Sequence, residues 1–86
     1  MYKNKTPDGK LNVCGPQIAK LRMQMQPKTS QRKLADRLQL IGLDLDKNAI
    51  SKIEAGQRFV TDIELQAFAT LFGVTTDELL TPSEDI

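Results

Sequence analysis

Histidine is absent from the 86 residues, which excludes a His-containing zinc site and a Ser-His-Asp triad. Cysteine occurs once, at Cys14, so no internal disulfide can form, and a single thiol fits a reducing cytosol. No apolar run approaches about 18 residues and no signal-peptide pattern opens the chain, so neither a membrane span nor secretion is expected. No stretch alternates polar and apolar residues with period two, so no strand is expected. A Gly-rich phosphate loop is missing, and Cys14 has no evident base beside it, so the sequence predicts no enzyme and no cofactor. Lysine and arginine stop at Arg58: all 12 lie in residues 1–58 against 5 acids, and residues 59–86 hold 6 acids and no cation.

What remains is an ordinary globular composition, 40% hydrophobic and 27% charged, with length for one domain and a modest core. The charge split gives a basic part and an acidic part, the pattern expected when one side of a molecule meets a polyanion. Residues 1–14 are polar and interrupted by Pro7 and Asp8-Gly9, so they predict a loosely docked basic extension carrying Lys3, Lys5 and Lys10. Residues 15–81 predict the folded domain, and residues 82–86 an acidic tail.

Five helices are expected within that domain. The first starts at Gly15-Pro16, where proline's missing N–H is harmless, and ends before Pro27. The second is capped by Ser30, with an apolar stripe of Leu34, Ala35, Leu38 and Ile41, and closes at Gly42. The third is capped by Asp46, stapled by Leu45 and Ile50, and closed by Gly56. Thr61 with Glu64 and Thr75 with Glu78 are capping boxes that open the fourth and fifth helices. The fourth buries Leu65, Phe68, Ala69 and Phe72, and the fifth ends near Leu80. The third helix has two faces: Ala49, Ile50 and Ile53 share one, and Lys47, Asn48, Ser51 and Lys52 share the other. Residues 30–54 thus read as two helices joined by a turn, and the polar, cationic face of the second suits either solvent, as on an ordinary core helix, or the major groove of DNA.

The pieces Ile18, Leu21-Arg22, Ser30-Gln31, Leu34-Ala35, Ile50–Gly56, Phe68-Ala69, Phe72-Gly73-Val74 and Asp77–Leu80, in this order and spacing, resemble the helix-turn-helix domain of the Cro and phage-repressor (XRE-type) transcriptional regulators. The resemblance implies an all-α, five-helix repressor-like domain. One departure stands out: eleven residues, 39–49, separate Leu38 from Ile50, more than the family's usual span. They are expected to lengthen helix 2 by about a turn and to widen the turn after it, with Leu43 and Leu45 tucked beneath.

The resemblance also implies roles. Lys47, Asn48, Ser51 and Lys52 occupy the positions that reach base edges, lysine suiting guanine and asparagine adenine. Ser30, Gln31, Arg32, Lys28, Gln57 and Arg58 sit where the family touches the DNA backbone. Arg22 and Glu54 match a structural ion pair between helices 1 and 3. The implied protein is a sequence-specific regulator, a repressor, binding double-stranded DNA as a homodimer in the cytoplasm of a bacterium, near the nucleoid, or encoded by a phage. No membrane and no small-molecule partner is expected. The rival reading is a protein-interaction module on the same fold, an anti-repressor or antitoxin-like partner binder, using the acidic last third with Leu71, Leu80 and Ile86. Asp44-x-Asp46-x-Asn48 imitates the start of a calcium loop, but Ala49 stands where glycine belongs and Ala55 where the closing glutamate belongs, so no metal is expected.

Overall fold

Four helix starts are fixed by a local side-chain oxygen. Ser30 accepts from the Lys33 N–H at 3.2 Å, Asp46 from Ala49 at 2.7 Å, Thr61 from Glu64 at 3.2 Å and Thr75 from Glu78 at 3.1 Å. Each satisfies an N–H that the helix itself cannot. In the last two, the glutamate reaches back to the threonine N–H and completes the box. The resulting chain order, in a computed structural model describing residues 5–81, is α1 (Gly15–Met23), α2 (Gln31–Leu40), α3 (Lys47–Glu54), α4 (Asp62–Phe72) and α5 (Thr76–Leu80). No strand occurs among the described residues, and none of their helices is long and apolar enough to cross a membrane. Residues 1–4 with Lys3, and the 82–86 tail with Ile86, lie outside the described residues.

α2 ends at Leu40, and a six-residue turn, 41–46, joins it to α3. Gly42, at φ 95°, makes this exit possible: its N–H donates to Gln39 O at 3.1 Å and the Leu43 N–H to Leu38 O at 2.9 Å, a Schellman closure that requires a left-handed residue. Ile41 corrects the expected stripe. It is 46% exposed, because it caps the helix instead of continuing it. Leu45, 7% exposed, and the half-buried Leu43 do pack underneath.

α1 packs on α3 and α5, α2 on α3 and α4, and α4 on α5. Between them Ile18, Leu34, Leu38, Ile50, Ile53, Phe68 and Leu79 are fully buried. Leu65 and Phe72, expected inside, lie half-buried at the edge of this core, as does Leu71, while Leu80 is exposed. Burying close-packed aliphatic groups is the main stabilising term, and truncating one of these leucines or isoleucines to alanine costs about 2–5 kcal/mol.

The described part of the expected N-terminal extension is tied down at its inner end. Cys14 is in the core at 2% exposure, where burial pushes its thiol up to about 11. Residues 10–12 hydrogen-bond to the end of α3. The folded body therefore begins before Gly15.

Candidate nucleic-acid interface

α3 has only eight residues, so its position depends on what holds its two sides. Ile50 and Ile53 plug it into the core. Leu45, just before the Asp46 cap, is buried with Ile50 and fixes the entry of the chain. With that face inward, Lys47, Asn48, Ser51 and Lys52 are all exposed. Nothing described covers them.

Beneath the helix, one guanidinium joins three segments. Arg22 of α1 donates to Glu54 of α3 through Nε at 2.7 Å and through a terminal nitrogen at 3.0 Å. Its other terminal nitrogen donates to Thr29 O at 3.1 Å, just ahead of α2. Side-chain exposures of 15% and 8% make this a largely buried pair, and the fork geometry is the one in which arginine binds carboxylate most specifically. The Glu54 hydrogen bond raises the Arg22 pKa further above its ordinary value, against the opposing effect of burial. Gln31, placed by the resemblance at the DNA backbone, donates its amide to the same Glu54 at 2.9 Å. The first residue of α2, α1 and the last of α3 thus converge on one carboxylate.

Above this junction, a shallow concavity lies between the N-terminal ends of α2 and α3, lined by Lys28, Ser30, Gln31, Arg32, Lys33 and Lys47, with Arg22 and Thr29 at its base. Its wall carries no acid. Lys33, which the family resemblance does not mark, belongs to this wall; its place in the first turn of α2, one residue past Arg32, was the available signal. A neighbouring concavity shares Arg32 and Lys47 but also holds Asp36, Asp44 and Asp46. The electropositive surface is therefore bounded, and Arg32 and Lys47 stand at its border.

The loop after α3 divides the two residues expected there. Gln57 is exposed. Arg58 turns toward α4 and forms a forked pair with Glu64, both bonds 3.0 Å, with a third bond to Phe59 O at 2.9 Å. Its guanidinium is paired with α4 while its side chain stays 32% exposed, because the Thr61–Glu64 box draws the carboxylate to the loop. Arg58 first, and then the Thr61 backbone, hold the Glu64 carboxyl below its ordinary value, while burial opposes them.

Two helices set around a turn, the second offering amides and cations outward beside a cation-lined helix start, define a helix-turn-helix module. A helix-turn-helix family model matches residues 18–79, and the chain belongs to that family, the Cro and repressor (XRE) type of DNA-binding transcription regulators. No curated protein and no solved structure matches the chain.

Proposed function

We propose that the chain is a repressor-type regulator that reads the major groove with α3. The observation that carries this reading is the joint exposure of Lys47, Asn48, Ser51 and Lys52 beside an acid-free wall of cations. Asn48 and Lys52 are the base readers, suited to adenine and guanine, each worth about 1–3 kcal/mol of discrimination when well aligned. Ser51 adds a hydroxyl, and Lys47, at the charge border, serves bases or phosphate. Lys28, Arg32, Lys33 and the exposed start of α2 at Ser30 hold the backbone of one strand; Gln57 touches the other side. Gln31 and Arg58 act here through Glu54 and Glu64, which hold the reading helix and its following loop.

One such unit reads few base pairs. Two copies on half-sites about 34 Å apart supply the missing specificity, and the setting is the cytoplasm of a bacterium or of a phage-infected cell. Selection from a pool of random duplexes, followed by binding across a salt series, tests the reading. An enriched, roughly two-fold symmetric site and affinity falling with salt at about 0.9 log units per neutralised phosphate are expected. No enrichment, or binding indifferent to salt, counts against it. The rival protein-interaction reading draws on Ile41 and Ile63, 46% and 70% exposed and lining one concavity. Replacing both with serine leaves DNA selection intact under the first reading.

A further inference from the structure

The last turn of α3 does not open its carbonyl groups to water alone. Lys10 Nζ donates to Ala55 O at 3.3 Å, and the Leu11 N–H donates to Gly56 O at 2.8 Å. Asn12 Nδ2 donates twice, to Ile53 O at 3.0 Å and to Arg58 O at 2.8 Å. Asn12 Oδ1 accepts from the Gly15 N–H at 2.9 Å. One half-buried amide therefore joins the start of α1, the end of α3 and the loop after it. Lys10 lies across Gly56 so closely that a Cβ there would come within 2.7 Å of its Cδ. Ile53 O also accepts from the Gly56 N–H at 3.0 Å, so Asn12 is a further donor there, where the negative end of the helix dipole favours one.

We propose that Asn12 is a positioning residue for DNA reading: by gripping the carbonyl end of α3 it sets the angle at which Asn48 and Lys52 meet the bases. This rests on α3 being the reader. The lever is short but sensitive. Eight residues of helix span about 12 Å, so a tilt of about 5° at one end moves the other by about 1 Å. A displacement of that size takes a hydrogen bond out of its useful range. Ile50 and Ile53 anchor the helix against translation, but apolar packing is non-directional. Arg22 and Gln31 give direction through the Glu54 side chain, and Asn12 adds a hold on the backbone itself, at Ile53 O and at Arg58 O in the loop that follows.

The test compares the full chain with Asn12→Ala and with Asn12→Asp, which keeps the side-chain size and the acceptor for Gly15 but loses both donations. Backbone residual dipolar couplings report the orientation of α3 against α2 and α4 without any DNA. In the variants the α3 couplings are expected to depart from the orientation that fits the native chain, while α2 and α4 keep theirs. On a duplex selected by the native chain, preference over a scrambled duplex is expected to fall about 5–150-fold, the loss of one aligned contact, with the salt slope unchanged. Folded variants whose α3 keeps the native orientation, or whose preference is unaltered, overturn the proposal. If the native chain selects no sequence, the reader assignment fails, and the couplings alone decide whether Asn12 sets α3.

Discussion

Glu54 carries more of the molecule than its exposure suggests. It accepts from Arg22 twice and from Gln31 once, and each donor comes from a different helix. Replacing it with alanine leaves the Arg22 guanidinium without its counter-charge in a largely buried place, a loss of about 3–5 kcal/mol. Denaturant titration of Glu54→Ala measures it; a loss below about 1 kcal/mol, the scale of an exposed pair, would contradict the role given to Arg22. Glu64 makes a separate prediction. Its folded pKa lies below the ordinary value of 4.5 because of Arg58, so its contribution is present at neutral pH. That contribution is lost as pH falls through and below the ordinary carboxylate value. Stability of the native chain should therefore drop more steeply below about pH 4.5 than that of Glu64→Gln, which has no proton to gain there.

At the level of elements, the sharpest contact is between α1 and α3. A Cβ on Gly15 would collide with Ile53 O and lie 2.9 Å from Asn12 Oδ1 and 3.1 Å from Glu54 O. Alanine ordinarily favours a helix over glycine by about 1 kcal/mol. Gly15→Ala should nevertheless destabilise, by about 1–3 kcal/mol, because two of the three atoms it meets are backbone and the third is the Asn12 Oδ1 that accepts from the Gly15 N–H. A stabilised variant in thermal unfolding would mean that the two helices separate more easily than the packing implies. The same contact shows what the sequence could disclose. Helix starts were legible because a cap and its N–H lie three residues apart, as at Ser30, Asp46, Thr61 and Thr75. The outward face of α3 followed from the spacing of Ile50 and Ile53. The grip of Asn12 was not legible, since its partners lie 41 and 46 residues away and a polar stretch with proline and glycine reads as loose chain. Ile41 misled for a related reason: helical spacing extends an apolar stripe past the point where Gly42 has already ended the helix. The pairing of Arg58 with Glu64 was not legible either, because nothing local marks the two as partners.

Across the whole molecule, the acids of α4 and α5 are set apart from the cations. Cations gather at the start of α2 and around α3. Asp62, Glu64, Asp77 and Glu78 lie on α4 and α5, where no lysine or arginine occurs. A duplex approaching from the α4–α5 side meets like charge, so the charge pattern orients the encounter before any contact forms. On the proposed reading, sequence preference then depends on Asn48 and Lys52. Fluorescence anisotropy with the selected duplex and a scrambled one, comparing the native chain with Asn48→Ala/Lys52→Ala, tests that dependence most directly. The double variant should remain folded, bind both duplexes alike, and lose about 2–6 kcal/mol of preference, two contacts at about 1–3 kcal/mol each. Preference retained in full by the folded double variant would contradict α3 as the element that reads sequence.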